Sequence, residues 1–221
     1  GLSAGTYSCT ITHAYNCSYT VSNIIINEPT AISANLSIID VTCNGGNDGS
    51  ATVTPAGGTG NYTYSWSPSG GSDSTATGLS AGTYSCTITD AYNCSYTVSN
   101  IVVGEPSLLT SSIIYEDSVS CYGLSDGSAQ VQGLDGTPGY TYLWNNGQTG
   151  STLQNVTAGT YTCTITDANG CTTQQSVTVH EPDELIANLS SINISCNGLS
   201  DGSASVSVTG GNGINTYIWS P

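Results

Sequence analysis

Apolar and polar residues alternate in short runs along this chain, and turn-forming residues separate the runs. In the stretch 30–106 the runs predicted as strands read AISANLSIIDVTC, SATVTPA, YTYSW, STATGL, TYSCTIT and CSYTVSNIVV. Tyr84, Cys86 and Ile88 alternate with Ser and Thr, so these three are predicted to face a core and the polar residues to face water. No segment has helical periodicity. With turn signals about every 8–12 residues, the pattern predicts an all-β sandwich.

The same blocks return at a fixed spacing. The tripeptide Gly-Thr-Tyr begins at positions 5, 82 and 159, a spacing of 77 residues. Glu-Pro closes each unit, and because Pro cannot continue a strand ladder it marks a domain joint. The sequence therefore predicts tandem immunoglobulin-like β-sandwich repeats of about 77 residues, arranged end to end as a window on a longer array. The expected units are the second half of a repeat at 1–29, complete repeats at 30–106 and 107–182, and the first half of a repeat at 183–221.

Each repeat places its aromatic residues at fixed points of this pattern. A tryptophan stands in the middle of an alternating strand, where immunoglobulin-like sandwiches keep a core tryptophan. A tyrosine follows a turn two residues before a cysteine, which resembles the tyrosine corner of that fold. Core packing is therefore the predicted role of Trp66, Trp144, Trp219, Tyr84 and Tyr161.

The nine cysteines supply three to each complete repeat. Small sandwiches outside the cell often carry disulfides, so we expect at least one oxidised pair per unit and one cysteine left over. A bridge between Cys86 and Cys94 is not expected, because a three-residue turn with left-handed Asn93 places Cys86 roughly 13 Å of strand away. Cys43 is the better partner, bonded to Cys94, to Cys86 or to a cysteine of a neighbouring unit. The second repeat carries the equivalent residues Cys121, Cys163 and Cys171.

The net charge of the chain excludes several functions, although it says little about the fold. The chain has no Lys or Arg and 15 Asp and Glu, which gives a formal net charge of −15 at pH 7. Nucleic-acid phosphates are held by Lys and Arg, so no nucleic-acid binding is expected. Anionic membrane surfaces repel such a chain, and no apolar run approaches the roughly 18 residues of a membrane span, so no membrane insertion is expected.

Catalytic chemistry has little support in the sequence. No nucleophile elbow, phosphate-binding loop or paired-cysteine metal motif occurs. His13 stands where the other copies carry Asp90 and Asp167, which argues against a catalytic role for it. The chain is predicted to be non-enzymatic and to carry no cofactor, with calcium as the one candidate.

The calcium candidate is an acidic turn that recurs in each repeat. Acidic Gly-containing turns bind Ca²⁺ through carboxylate and carbonyl oxygens, but a full site needs several such ligands. Each turn here offers one carboxylate, to which the joint glutamates Glu28, Glu105 and Glu181 could add. We interpret the turn as an Asx turn and keep a weak calcium site as the alternative, at Asp48, Asp126 and Asp201.

The blocks CNGGNDGSATV, GGTGNYTYSWSPSGG and GLSAGTYSCTITDAYNC, closed by Glu-Pro, resemble the SprB repeat family. That resemblance implies very large surface adhesins of gliding Bacteroidota, exported by the type IX secretion system, and therefore an extracellular, cell-surface location. The chain departs from the family in the cysteines at Cys9, Cys86 and Cys163, where an aliphatic residue is expected. Asp73-Ser74-Thr75 and Asp117-Ser118-Val119 resemble the O-glycosylation motif of Bacteroidota surface proteins, with Ser74 and Ser118 as acceptors.

These observations predict a non-enzymatic structural and adhesive segment of a giant repetitive surface filament, moved in gliding motility. Its expected partners are neighbouring repeats of the same array and a surface polysaccharide or substratum. One alternative is a carbohydrate-binding module, which requires aromatic residues on an outward face so that they can stack on sugars, such as Tyr62 and Tyr64 on the side opposite the core. The other is a passive stalk of a large secreted surface protein.

Overall fold

The computed structural model describes residues 1–220, so Pro221, the last residue of the predicted half-repeat 183–221, lies outside the described residues. Within the described range the chain forms β-strands and no helix, and therefore no helix that could cross a membrane. The sixteen strands are β1 Gly5–Thr12, β2 Ser18–Ile26, β3 Ser33–Ile39, β4 Gly49–Ala56, β5 Thr63–Ser67, β6 Thr75–Leu79, β7 Gly82–Thr89, β8 Ser95–Val103, β9 Thr110–Asp117, β10 Gly127–Leu134, β11 Thr141–Trp144, β12 Thr152–Val156, β13 Gly159–Thr166, β14 Thr172–Val179, β15 Ile186–Ile192 and β16 Ser203–Thr209.

Residues 30–106 fold into two three-stranded antiparallel sheets, in the orders β3-β4-β6 and β5-β7-β8. Their apolar faces share one core, to which β4 contributes Ala51 and Val53 and β7 contributes Cys86 and Ile88. Tyr84 also lies in this core, so the alternation of β7 reads as predicted. This repeat is an all-β, immunoglobulin-like sandwich.

Residues 107–182 have the same topology, with sheets β9-β10-β12 and β11-β13-β14. The core positions are equivalent to those of the first repeat, with Ala129 and Val131 on one sheet and Cys163 and Ile165 on the other. The chain divides into two compact units between Glu105 and Pro106, one of the Glu-Pro dipeptides. Each unit contains one complete sandwich and one half-repeat.

The core tryptophans combine packing with one specific hydrogen bond. Trp66 lies opposite Cys86 on the β5–β7 ladder, and Trp144 lies opposite Cys163 on the β11–β13 ladder. Both indoles are buried, and each Nε1–H donates to a carbonyl oxygen of the loop that follows, at 2.8 Å for Trp66 and 3.0 Å for Trp144. Because a buried indole N–H needs an acceptor, this bond fixes the loop over the core.

A tyrosine closes the turn before the strand that carries the core cysteine. The Tyr84 hydroxyl donates to the carbonyl oxygen of Ser80 at 3.0 Å, and the Tyr161 hydroxyl donates to that of Thr157 at 3.0 Å. A bond from the tyrosine back to the backbone a few residues upstream is the geometry of the tyrosine corner. Tyr84 is buried, and Tyr161 is half-buried against the core of its own repeat.

The outward faces of the sheets carry hydroxyl pairs in place of ion pairs. Thr87 and Thr97 lie opposite each other on β7 and β8, with their hydroxyl oxygens 3.0 Å apart. Thr162 and Ser176 make another such pair in the second repeat, at a different position of the ladder, also at 3.0 Å. Cross-strand hydroxyl pairs stabilise a sheet without charge, which suits a chain that has no Lys or Arg.

One strand contains a bulge that the sequence pattern did not predict. The β7–β8 register shifts between Tyr84 and Cys86, and Asn100 on β8 has φ of 56°. Asn tolerates this left-handed conformation better than most residues. The bulge changes the phase of the strand, so that Ile101 is buried although it is three residues from the core-packed Val98.

The two half-repeats form one antiparallel hairpin each, β1-β2 and β15-β16. No second sheet is packed on either hairpin within the described residues, and large apolar side chains are exposed on both. Trp219 illustrates the consequence, because it is 62% exposed whereas the equivalent Trp66 is 7% exposed. Within the described residues no second sheet covers Trp219, so its predicted core role stays a prediction.

Gly49 marks a point where the two sheets of the first repeat approach closely. A Cβ at this position would lie 2.7 Å from Cγ1 of Val103 and 2.8 Å from the carbonyl oxygen of Leu79. Overpacking of this kind costs about 1–3 kcal/mol. We expect G49A to accelerate amide hydrogen exchange across β4 and β7, with residues 107–182 as the internal reference.

The matched control for that substitution is G60A. A Cβ on Gly60 would meet nothing within 4 Å, so the same change of residue should leave exchange in β4 and β7 unaltered. Equal exchange in the two variants would show that close approach at Gly49 does not limit the packing of the sandwich.

Candidate functional site

The recurring acidic turn closes a loop that contains a cysteine. We call residues 42–48 the cysteine loop; its equivalents are 120–126 and 195–201. The Asp48 carboxylate Oδ1 accepts a hydrogen bond from the Thr42 backbone N–H at 3.0 Å. Asp126 accepts one from Ser120 at 3.0 Å, and Asp201 accepts one from Ser195 at 3.1 Å. Each aspartate reaches back six residues, a wider closure than the expected Asx turn.

The glutamate of the Glu-Pro joint binds the same loop. Glu105 Oε2 accepts a hydrogen bond from the Gly45 backbone N–H at 2.6 Å, and Glu181 Oε2 accepts one from that of Gly123 at 3.0 Å. Gly45 and Gly123 both have φ of 74°, a left-handed conformation that favours glycine. The joint of each complete repeat is thereby fastened to the loop of its own sandwich, through residues about sixty positions apart in the chain.

These bonds determine how the loop aspartates titrate. Hydrogen bonds from the side chain and backbone of Thr42 lower the pKa of the Asp48 carboxyl below its ordinary value. Ser120 lowers the pKa of Asp126 in the same way, and Ser195 lowers that of Asp201. The loop aspartates are therefore held as ionised acceptors for backbone N–H groups.

The candidate calcium turns lie at the surface, and the described residues bring no cluster of ligands together there. Asp48, Asp126 and Asp201 are exposed. In residues 1–220 no group of three or more His, Cys, Asp or Glu side chains is placed to hold a metal ion. Calcium binding at these turns stays a prediction.

A second carboxylate lies at the hairpin turn between β7 and β8. Asp90 is buried; its Oδ1 accepts the backbone N–H groups of Tyr92 and Cys94, each at 2.9 Å, and its Oδ2 accepts that of Thr59 at 3.0 Å. Burial raises the pKa of Asp90, but the hydrogen bonds from Thr59, Cys94 and Tyr92 together bring it below the ordinary value. One side chain thus orders its own turn and the β4–β5 loop.

The second repeat reproduces this arrangement. Asp167 is buried, and its carboxylate accepts backbone N–H groups of its own turn at 2.9 Å and that of Thr137 at 2.9 Å. The sequence pattern identifies Asp90 and Asp167 only as the counterparts of His13 in the other copies. The signal for a larger role was available, because the loop and the Asp-Ala turn recur together in both complete repeats, but the partners are about thirty positions apart.

The hairpin turn has the predicted form, and it separates Cys86 from Cys94. The Asp90 N–H donates to the Cys94 carbonyl at 2.9 Å, and Asn93 has φ of 62°. The equivalent turn residues are also left-handed, with φ of 63° at Asn16 and 86° at Gly170. Cys86 lies opposite Val98, so no Cys86–Cys94 bridge forms, as expected.

The number of oxidised cysteines differs from the expected number. Cys43 and Cys171 are disulfide-bonded, while the other seven cysteines, all within the described residues, are free. The predicted pairings of Cys43 with Cys86 or Cys94 are therefore wrong, whereas the third alternative, a cysteine of a neighbouring unit, is not contradicted. Each complete repeat has one oxidised and two free cysteines instead of an oxidised pair and one left over. The reason is position, because Cys86 lies in the core of the sandwich whereas Cys43 lies in the cysteine loop.

The tyrosines that the carbohydrate alternative requires on an outward face do not lie there. Tyr62 and Tyr64 are half-buried and pack against the core cluster that contains Trp66. The Tyr62 hydroxyl donates to the carbonyl oxygen of Gly57. The expectation for these two tyrosines was wrong for a geometric reason. Successive intervals of two residues separate Tyr62, Tyr64 and Trp66, and an extended chain directs side chains at such intervals to the same face.

The candidate glycosylation sites differ in exposure. Ser118 is exposed, directly after β9. Ser74 is half-buried, and its backbone carbonyl accepts the Val53 N–H at 2.9 Å. Ser118 is therefore the more accessible of the two hydroxyl groups.

Three segments of the chain match the family model of the SprB repeat, at residues 35–71, 117–149 and 188–221. Each match runs from the first strand of a repeat through the tryptophan segment, while the Gly-Thr-Tyr blocks lie outside the matched residues. The resemblance inferred from the sequence is confirmed in these segments. No curated protein matches the chain.

Solved structures similar to this chain include multidomain surface proteins. Three N-terminal domains of the highly immunogenic outer capsid protein Hoc of bacteriophage RB49 align with a TM-score of 0.44 at 18% identity, covering 81% of this chain and 69% of that one. A C-terminal intimin fragment, solved with the intimin-binding domain of its translocated receptor, aligns with a TM-score of 0.34 at 15% identity, covering 73% and 67%. The N-terminal eight immunoglobulin domains of Down syndrome cell adhesion molecule align at 0.37 and 14%, covering 80% and 28%.

Fold and repetition together define a class of protein, a segment of tandem immunoglobulin-like β-sandwich repeats. Within that class, the segments matched in this chain are those of the SprB repeat, which occurs in cell-surface proteins.

The lowered pKa of Asp90 predicts a stability that depends on pH. A carboxyl whose folded pKa lies below its unfolded value of about 3.9 stabilises the fold above that value, and the contribution is lost as the pH falls through the folded pKa. We expect D90N to lower the melting temperature of the chain at pH 7, because an amide nitrogen cannot accept the Thr59 N–H. The difference from the unsubstituted chain should shrink toward pH 2, measured by scanning calorimetry.

D73N is the matched control, since Asp73 is exposed. It should melt like the unsubstituted chain at both pH values. A deficit in D90N that is equally large at pH 2 would contradict the role of the Asp90 charge.

The thiol pattern predicts a stepwise alkylation count. Five free cysteines are exposed, and burial raises the pKa of the other two, Cys86 and Cys163, which protects them from reaction. Mass spectrometry should find five alkylated thiols in the native chain, seven after denaturation and nine after reduction. Alkylation of Cys43 without reduction would contradict the assigned oxidation state.

Proposed function

We propose that this chain is a non-enzymatic structural and adhesive segment of a large cell-surface filament, working outside the cell. The observation that carries the proposal is the repetition of one sandwich whose buried and loop carboxylates are used on its own backbone. Asp90 and Asp167 bind turn and loop N–H groups, while Glu105 binds the cysteine loop. A group engaged in this way shapes the repeat and is not free to act as an acid or base on a substrate.

The surface location is supported by two independent features. The SprB repeat occurs in cell-surface proteins, and the chain contains disulfide-bonded cysteines, which persist in oxidising compartments. Export by the type IX system and O-glycosylation at Ser118 or Ser74 belong to the same proposal. No specific observation favours the carbohydrate-binding alternative once Tyr62 and Tyr64 are found against the core.

Adhesion is proposed to come from many weak contacts along a repeated surface. The partners would be neighbouring repeats and a surface polysaccharide or substratum. Repetition multiplies a weak interaction, because each further contact is made at a high effective concentration. The outward Thr and Ser hydroxyls, such as Thr87 and Thr97, offer hydrogen bonds without the positive charges that would attract polyanions.

The test uses an antibody raised against residues 30–182, which contain both complete sandwiches. It should label intact cells of the source organism and reduce their attachment to a polysaccharide-coated surface, while an antibody to a cytoplasmic protein does neither. Labelling only after lysis would overturn the surface location, and labelling without an effect on attachment would overturn the adhesive role.

Gliding is tested separately with beads that carry the same antibody. A bead bound to the filament should travel along a moving cell, whereas a bead bound to another outer-surface protein should remain in place. Stationary filament beads on gliding cells would contradict the motility role and leave the surface role standing.

A further inference from the structure

The two complete sandwiches contain eight edge strands, because each of their four sheets has three strands. An edge strand presents unpaired N–H and C=O groups that pair readily with another chain, and proteins usually block such edges. Four of the eight edges are interrupted by a bulge, which twists the strand away from a flat partner. The bulges include Gly78 on β6, Asn100 on β8, Ile114 on β9 and Asn155 on β12.

Three further edges are covered by groups of their own sandwich. The backbone N–H of Trp66 on β5 donates to the Gly71 carbonyl oxygen at 3.4 Å, so the following loop lies along this edge. The backbone N–H of Trp144 on β11 donates to the Gln148 carbonyl oxygen at 2.9 Å in the same way. On β14 the backbone N–H of Thr178 donates to the carboxylate of Glu116 at 3.2 Å. Seven of the eight edges therefore carry a feature that limits pairing with another strand.

The eighth edge strand, β3, carries none of these features. It pairs with β4 over all seven of its residues without a register shift, and it contains neither a proline nor a charged residue. Leu36 lies opposite the core residue Val53, so Leu36 and Ile38 face the core side, yet they are 40% and 36% exposed. Ile39 on the outward side is 64% exposed. β3 is therefore a flat, apolar and unprotected edge.

The second repeat shows how the same edge is protected in a closely related sandwich. Ile38 lies opposite the core alanine of β4, and Glu116 lies opposite the equivalent core alanine of β10. Glu116 therefore stands where the first repeat has Ile38. A carboxylate at a strand edge resists burial against a partner, whereas an isoleucine favours it. This difference restricts edge pairing to the first repeat.

The strand that fits β3 is β3 of a second copy. In an antiparallel pair around a two-fold axis through Leu36, Leu36 meets its own counterpart and Ala34 meets Ile38, so the apolar residues of the core side meet each other. The nearest carboxylate, that of Asp40, then lies opposite Ile32 and not opposite another acid. The chain has a net charge of −15, so a contact between two copies has to be free of facing carboxylates, and this one is.

We propose that β3 of one copy of this chain pairs with β3 of a second copy, and that the two β3-β4-β6 sheets become one six-stranded sheet. Main-chain hydrogen bonds hold the pair, as in other cases of strand addition. The contact is isologous, so each β3 edge accepts one partner and the assembly stops at a dimer. It is made by a strand inside a complete repeat, and it does not depend on adhesion or gliding.

The test compares I38E with V102E in the full chain by sedimentation velocity. I38E copies the residue of the second repeat onto the β3 edge, and V102E places the same charge on the bulged strand β8, where Val102 is 57% exposed. The unsubstituted chain and V102E should form a concentration-dependent dimer. I38E should associate at least about tenfold more weakly, because its carboxylate would lose water in the pair. Both variants should keep the circular dichroism of the unsubstituted chain, since both side chains are exposed in the single copy.

Amide hydrogen exchange identifies the strand in contact without any substitution. Exchange in β3 should slow as the concentration of the unsubstituted chain rises, while exchange in β9, whose edge is interrupted by a bulge, should not change. Monomers at all concentrations would overturn the proposal. Equal association of I38E and V102E would also overturn it, as would association without protection of β3, since either result places the contact elsewhere on the chain.

Discussion

A chain without Lys or Arg has to satisfy its carboxylates with backbone N–H groups and hydroxyls, and the loops of this protein follow from that constraint. Asp90 binds three N–H groups, and Asp48 and Glu105 bind two points of one loop. Hydrogen bonds to an ionised acceptor are stronger than neutral ones, so a few residues fix long connections. Some of the acidic residues therefore have a structural role.

The second requirement is that one apolar sheet face covers another. Residues 78–106 and 1–29 have near-identical sequences, and their hairpins have the same strand pairing. The side chains differ in burial, because Ile101 is buried whereas the equivalent Ile24 is exposed. The hairpin forms from local pairing and turn chemistry, but its core exists only when the other half of the repeat is packed on it. In the two complete repeats the core is accordingly shared by both sheets.

The two complete repeats use equivalent core positions, equivalent tyrosine corners and equivalent carboxylate bonds. The repeats differ in the lengths of their last strands, in the residues of the cysteine loop and at single core positions, such as buried Leu153 where the first repeat has buried Ala76. A surface repeated in this way suits many weak contacts better than one specific site.

The sequence by itself determined what depends on local pattern. Alternation predicted the strands and the burial of Trp66, and left-handed Asn93 predicted the turn that keeps Cys86 from Cys94, because both follow from residues a few positions apart. Only the tertiary structure decided that Asp90 reaches Thr59, that Glu105 reaches Gly45 and that Cys43 pairs with neither Cys86 nor Cys94. It also decided whether an apolar strand is covered, since Trp66 and Trp219 share a sequence pattern and differ in burial. Those outcomes depend on groups that are distant along the chain and adjacent only after the two sheets pack.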